Sequence, residues 1–293
     1  MTAADAAPLV STQWLADRLA APDLVVIDAS WYLPAMNRDA AGEYLAGHIP
    51  GAVRFDIDEI SDKASPLPHM LPDPVAFARA MRKLGVGDGM RIVVYDGAGL
   101  FSAPRVRWTL MTFGARHVSL LDGGLPKWKA EQRPLEEGPV TRKPRHFTAR
   151  FDHGAVADAA DVARRIARGD MVVDARSAER FRGEAPEPRP GIPSGHIPGS
   201  RSLPFGQIVA DGRLRPPAEI VAAFAAAGVD LSKPIVTTCG SGVSAAILSL
   251  ALEVAGKRAD ALYDGSWADW AGRGDLPVAK GEANPTHPST SSE

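Results

Sequence analysis

The sequence predicts an α/β protein made of two successive copies of one domain, each a parallel sheet with helices on both faces. Three observations carry this reading. The chain has 293 residues, about twice an ordinary domain. Similar segments recur in the same order at offsets of 142 to 148 residues. Within each half, short β-branched runs alternate with helical patterns, which is how a parallel sheet covered by helices is written. The recurrences are specific. An apolar run ending in an acid stands at residues 24–28 and 171–174, and His48-Ile49-Pro50-Gly51 returns as His196-Ile197-Pro198-Gly199. Leu84-Gly85-Val86 matches Ala227-Gly228-Val229, and Asp122-Gly123 with Trp128 matches Asp264-Gly265 with Trp270. The small drift in offset means short loop insertions, and so long a period means two whole domains rather than a solenoid.

The elements follow in order. Ser11 is placed to cap a helix over residues 12–20. Strands are expected at 25–29, 92–96 and 118–121 in the first copy, and at 172–175, 235–238 and 261–263 in the second. Helices are expected at 75–84, with Ala76, Ala80 and Leu84 at four-residue spacing, and at 218–227 and 245–255. Residues 134–150 hold three prolines and several basic residues, the composition of a linker. The expected domains are therefore 1–145 and 146–280. A Pro-, Ser- and Thr-rich tail at 281–293 is expected to be disordered.

Composition narrows the function classes. With 45% hydrophobic and 23% charged residues, the chain has an ordinary globular balance and can bury a core. A net charge of -2 lacks the basic footprint of a nucleic-acid binder. The longest apolar stretches, such as 221–229, are about half of what a bilayer crossing needs, so no membrane partner is expected. The amino end does not read as a secretory signal, and a single cysteine fits a reducing compartment, which together point to the cytoplasm. One cysteine builds neither a disulfide nor a Cys-rich zinc site, and neither an HExxH nor a P-loop pattern is present. Any special role of Cys239 is therefore chemical.

Cys239 directly follows the apolar strand at 235–238, and ligands of open α/β sheets bind at the carboxyl ends of strands. After it come Gly240, Ser241, Gly242, Val243 and Ser244, then a helix. Two glycines let the backbone curl so that successive N-H groups face the sulfur, and the helix start adds partial positive charge. Such a field favours a thiolate. The plainer alternative is a small buried hydrophobe, as free cysteines often are.

The loop CGSGVS, the paired HIPG segments, LLDGGLPKW with LYDGSWADW, and FRGEAPEPR resemble the tandem-domain rhodanese sulfurtransferases, in particular their 3-mercaptopyruvate-using branch. The resemblance spans residues 10 to 280 and rests on several motifs in one order. It implies two rhodanese domains, each a five-stranded parallel sheet flanked by helices, with the nucleophile only in the second. Asp96 stands at the position equivalent to Cys239 and cannot form a persulfide. The implied reaction moves sulfur from 3-mercaptopyruvate through a Cys239 persulfide to a thiol or cyanide, releasing pyruvate, without cofactor or metal. A thioredoxin-like protein is the implied thiol acceptor.

Thiosulfate-using relatives carry basic residues after the cysteine, whereas this chain has Gly240 and Ser241, a neutral loop suited to a keto acid. The family's two carboxylate-binding arginines match Arg180 and Arg189, with Arg176 and Arg182 as nearby rivals. Arginine suits the task because its planar fork stays charged and can bond a carboxylate bidentately. The family's Ser-His-Asp relay maps onto Ser241, His69 and Asp58. The last two lie in the first copy, so the relay demands a site between domains. Ser244 replaces the family's more usual threonine and keeps a hydroxyl for the loop's hydrogen bond. His48, His196, Trp128 and Trp270 recur in both copies and read as structural. The alternatives are a thiosulfate sulfurtransferase and a non-catalytic persulfide carrier; a Cys-x5-Arg phosphatase loop is opposed by Ala245.

Overall fold

A computed structural model describes residues 7–283 of the chain. The expected tail disorder falls, from residue 284 onward, outside the described residues. The first half runs β1 (Leu9–Val10), α1 (Thr12–Ala16), β2 (Leu24–Asp28), α2 (Ala40–Ala46), β3 (Val53–Arg54), α3 (Pro74–Lys83), β4 (Arg91–Tyr95), α4 (Ala103–Thr112), β5 (His117–Leu121) and α5 (Gly124–Ala130). The second continues β6 (Val156–Ala157), α6 (Ala159–Ala167), β7 (Met171–Asp174), α7 (Ala178–Arg182), β8 (Arg201–Ser202), β9 (Val209–Ala210), β10 (Arg213–Leu214) and α8 (Pro217–Ala226). It closes with β11 (Ile235–Thr238), α9 (Ala245–Val254), β12 (Ala261–Tyr263) and α10 (Ser266–Gly272).

Each half holds a five-stranded sheet, in the orders β1-β5-β4-β2-β3 and β6-β12-β11-β7-β8. Every pairing in both is parallel. The two orders superimpose element for element, as the sequence repeat requires. The central strands are buried on both faces, so they read as continuous apolar runs. An antiparallel hairpin, β9 with β10, is an addition of the second half.

Local chemistry explains the helix starts. Ser11 Oγ accepts from the Trp14 amide at 3.1 Å, the expected cap. That helix ends at Ala16 rather than at 20, because the chain tightens into i+3 turns, Arg18 to Leu15 and Ala21 to Arg18, ahead of Pro22. Asp73 caps α3 through Val75 and Ala76, and Asp158 with Asp161 forms a capping box on α6.

The recurring histidines and tryptophans do paired structural work. His48 Nδ1 meets the Tyr44 carbonyl at 2.8 Å and stacks on its ring, and His196 Nδ1 meets the Phe181 carbonyl at 2.9 Å and stacks likewise. Trp128 and Trp270 each donate Nε1 at 2.8 Å to a proline carbonyl, Pro134 and Pro277. Residues 134–150 carry no helix and are fastened to the first half: Glu136 bridges His48, Phe147 enters the first core, and the Arg150 amide donates to Phe113.

The halves join through α4 and α9, the helices that follow the equivalent loops after β4 and β11. Val243, Ile247 and Leu250 belong to the same apolar cluster as Val106 and Leu110. The cysteine loop is thus anchored in the core of the other half.

Candidate active site

Cys239 leaves the carboxyl end of β11 and is 2% exposed. Its amide donates to Ser266 Oγ at 3.2 Å, and its carbonyl accepts from Trp267 N at 2.9 Å, so α10 fixes the backbone that bears the sulfur. The Gly240 carbonyl is held by Ala268 N at 3.0 Å. Among the described residues, the N-H groups of Gly240, Ser241, Gly242, Val243 and Ser244 donate to no protein acceptor. Successive N-H groups that are not engaged within the protein can hold an anion where they converge.

The first half shows what such a loop does with an anion. Asp96, at the equivalent position, is fully buried, and its carboxylate accepts from Ala98 N at 2.9 Å, Phe101 N at 2.7 Å and Ala103 N at 2.8 Å. Burial raises the Asp96 pKa while those three bonds pull it down. The first loop spends its amides on its own carboxylate; the second keeps them beside a thiol.

Gly242 has φ +77, a conformation that favours glycine, and a Cβ there would lie 2.6 Å from Arg105 Nη1. Arg105, from α4, crosses the domain seam. Its Nη2 donates at 2.6 Å both to the His69 carbonyl and to Asp264 Oδ1, and its Nη1 reaches the Gly242 carbonyl at 3.4 Å. Asp264 also accepts from Leu71 N at 2.9 Å. One buried ion pair therefore ties the cysteine loop to the segment carrying His69. Val243 is buried in the shared core, and Ser244 stands at the start of α9. Ser244 makes no side-chain cap bond, contrary to the expectation that its hydroxyl serves the loop, because its backbone is already helical (φ -73, ψ -17) and a cap oxygen reaches the first turn from an extended residue.

The structure brings Asp58, His69 and Arg189 together. His69 is buried and adopts φ +61, an unusual backbone for a non-glycine residue. Its Nδ1 lies 2.8 Å from Asp58 Oδ1, close but poorly aligned for a hydrogen bond, and Trp31 packs edge-on against the ring while donating to Asp58 Oδ2 at 2.8 Å. Its Nε2 lies 3.2 Å from Arg189 Nη2. Here the geometry departs from the expected relay: among the described residues, no hydrogen bond joins Ser241 to His69, and the guanidinium occupies the nitrogen that the serine was to meet. Ser241 itself is buried in the loop. Since arginine only donates, Nε2 accepts and the proton sits on Nδ1, facing Asp58.

Burial lowers the His69 pKa, against the pull of Asp58, and the His69 contact in turn lowers that of Asp58. His69 is therefore neutral at neutral pH. Because its folded pKa is depressed, the unfolded chain takes up the proton first, so stability falls as pH drops from about 6.5 through the lowered folded value. An NMR titration of the His69 ring is expected to show a midpoint below that of a free imidazole; a midpoint above it contradicts the arrangement.

Arg180 Nε and Nη2 are held by Glu187, the former at 3.2 Å, and a Cβ on Gly240 would lie 3.0 Å from that Nη2. One edge of its fork is already used, so a substrate carboxylate would meet the Nη1 side. Arg189 is half-buried; burial lowers its pKa, opposed first by the nearby Cys239. The rivals are already engaged, Arg176 beside the loop, where a Cβ on Gly240 would lie 4.0 Å from its Cδ, and Arg182 away from it. Arg176 is fully buried on Asp174, Glu187 and the Gly195 carbonyl, and Arg182 pairs with Glu184 at the surface. Sequence reading missed Arg105, Glu187 and Trp31, and it noted Asp264 only as part of the repeat. Glu187, inside FRGEAPEPR, was the one with a signal.

Comparison with known proteins agrees with the two-domain architecture. The family described as the rhodanese-like domain matches residues 11–131 and 158–273. The 3-mercaptopyruvate sulfurtransferase of Escherichia coli strain K12 is 46% identical over 271 residues, covering 92% of this chain and 96% of that protein. That of Homo sapiens is 46% identical over 270 residues, covering 89% and 91%. A crystal structure from Escherichia coli described as a 3-mercaptopyruvate sulfotransferase of rhodanese fold superimposes with a TM-score of 0.82 at 44% identity, covering 89% of this chain and 98% of that one. With both halves matched and relatives this similar along nearly their whole length, this chain belongs to the rhodanese-like family.

Proposed function

We propose that the protein is a 3-mercaptopyruvate sulfurtransferase that works through a persulfide on Cys239. The observation that carries this is the pairing of a thiol with a run of unpaired amides beside two arginines, Arg180 and Arg189, in a loop that bears no cation of its own. The likeness to relatives of that name supports the same donor.

The Cys239 thiolate attacks the donor's sulfur. The carbon-sulfur bond breaks, its electron pair passes to carbon as the enolate of pyruvate, and the proton of the transferred thiol is available to complete pyruvate. Sulfur stays as the persulfide anion, and the N-H groups from Gly240 to Ser244 stabilise it as the amides of Ala98 and Phe101, at the positions equivalent to Ser241 and Ser244, stabilise Asp96. Arg180 and Arg189 orient the carboxylate, Asp58 and His69 hold Arg189, and Ser241 serves the carbonyl end. A thiol, such as that of a thioredoxin-like protein, then attacks the outer sulfur and restores Cys239.

The test is donor preference, with cyanide as acceptor. 3-Mercaptopyruvate is expected to be turned over with the higher kcat/KM, and a preference for thiosulfate overturns the donor assignment. Arg189→Met is expected to lower kcat/KM for mercaptopyruvate by about tenfold to hundredfold, the worth of a charge-assisted hydrogen bond. An unchanged value removes Arg189 from the binding site.

A further inference from the structure

A cavity of about 440 Å³ lies on the seam between α4 and α9, away from the reacting sulfur. Trp108 and Met111 of α4, Leu250 and Glu253 of α9, and Lys257 and Arg258 of the following turn line it. Its size is that of a small-molecule site, and it sits at a domain interface, where such sites concentrate.

The polar groups of the wall are not equally engaged. Arg107 and Glu253 satisfy each other bidentately at 2.7 and 2.9 Å, Asp260 accepts from Ile235 N at 2.7 Å, and Asp152 accepts from Gly154 N at 2.9 Å. Among the described residues, the Trp108 indole N-H and the side chains of Lys257 and Arg258 make no hydrogen bond or ion pair. The Thr112 hydroxyl of the same wall is likewise unpartnered and can donate or accept; Trp108, Lys257 and Arg258 only donate, and two of them carry positive charge, beside an apolar wall of Leu250, Met111 and Ala246.

The cavity also touches the machinery of the active site. The Arg105 guanidinium lies 4.6 Å from the centroid of the Trp108 ring, and the same Arg105 holds the carbonyls of His69 and Gly242. A molecule pressing on Trp108 therefore acts on the residue that braces both sides of the site. α9, the opposite wall, begins where the cysteine loop ends.

We propose that this interdomain cavity binds a small organic anion with an apolar or aromatic body, and that its occupancy changes the sulfur-transfer site through Trp108 and Arg105. The binding half stands independently of which sulfur donor the enzyme uses.

The test titrates the full chain with 1-anilinonaphthalene-8-sulfonate, an aromatic anion whose fluorescence reports binding. The wild type is expected to bind one equivalent saturably, and saturating pyruvate is expected to leave binding unchanged. Lys257→Ala with Arg258→Ala is expected to weaken binding by about tenfold while basal turnover stays as it is. Trp108→Phe, which keeps a ring beneath Arg105 but loses the N-H, is expected to weaken it as well. With the site filled, KM for the sulfur donor is expected to shift by about fivefold in the wild type. Non-saturable binding, displacement by pyruvate, or equal affinity in the double variant overturns the site. An unchanged KM and kcat at full occupancy overturns the coupling.

Discussion

Cys239→Ser is expected to reduce sulfur transfer to the uncatalysed background while the protein stays folded. The substitution is nearly isosteric, and the hydrogen bonds at this residue are made by the backbone, to Ser266 Oγ and Trp267 N, so the loop keeps its anchors. What disappears is the only sulfur nucleophile: the sequence holds a single cysteine. A serine hydroxyl is neither ionised at neutral pH nor able to carry a persulfide. Steady-state turnover and circular dichroism check the two halves of the expectation. Residual turnover above background assigns the chemistry to another group, and loss of the folded signal makes Cys239 a structural residue.

Asp264→Ala carries the next largest effect. Arg105 and Asp264 are buried to 2% and 5% side-chain exposure and meet at 2.6 Å, so removing the carboxylate leaves an uncompensated charge in the domain seam. Breaking such a pair costs about 3–5 kcal/mol. Turnover is expected to fall as well, by about a hundredfold, since a shift of about 1 Å in the cysteine loop or the His69 segment has that consequence. Glu253→Ala is the internal contrast. It breaks the Arg107 pair, which joins α4 to α9, but Glu253 is 38% exposed. Arg107, though only 8% exposed, keeps its bond to the Val118 carbonyl and borders the interdomain cavity where water can reach it, so the expected cost is smaller, about 1–2 kcal/mol. Chemical denaturation measures both. Equal costs contradict the view that the Arg105 pair is the buried clasp of the interface.

The central strands were legible because each is buried on both faces and so reads as an apolar run, and because the repeat supplied every one twice. β1, β3, β6 and β8 are two-residue edges with no room for a period. α4 was illegible for a different reason: it buries Arg105 and Arg107, so its seam face does not look apolar. At the site, Cys239, Arg180, Arg189, His69 and Asp58 could be named because motif order carried them. Arg105 and Asp264 are joined across 159 positions, and only the packing of one half on the other creates their contact. The same packing turned His69 toward Arg189 instead of Ser241, a choice that spacing along the chain does not encode.

Intact-protein mass measurement after a single exposure to 3-mercaptopyruvate, without acceptor, tests the central claim most directly. The wild type is expected to gain the mass of one sulfur atom and to release one equivalent of pyruvate, with the adduct removed by a thiol and absent from Cys239→Ser. Pyruvate release without a sulfur adduct, or an adduct that survives in Cys239→Ser, contradicts the account.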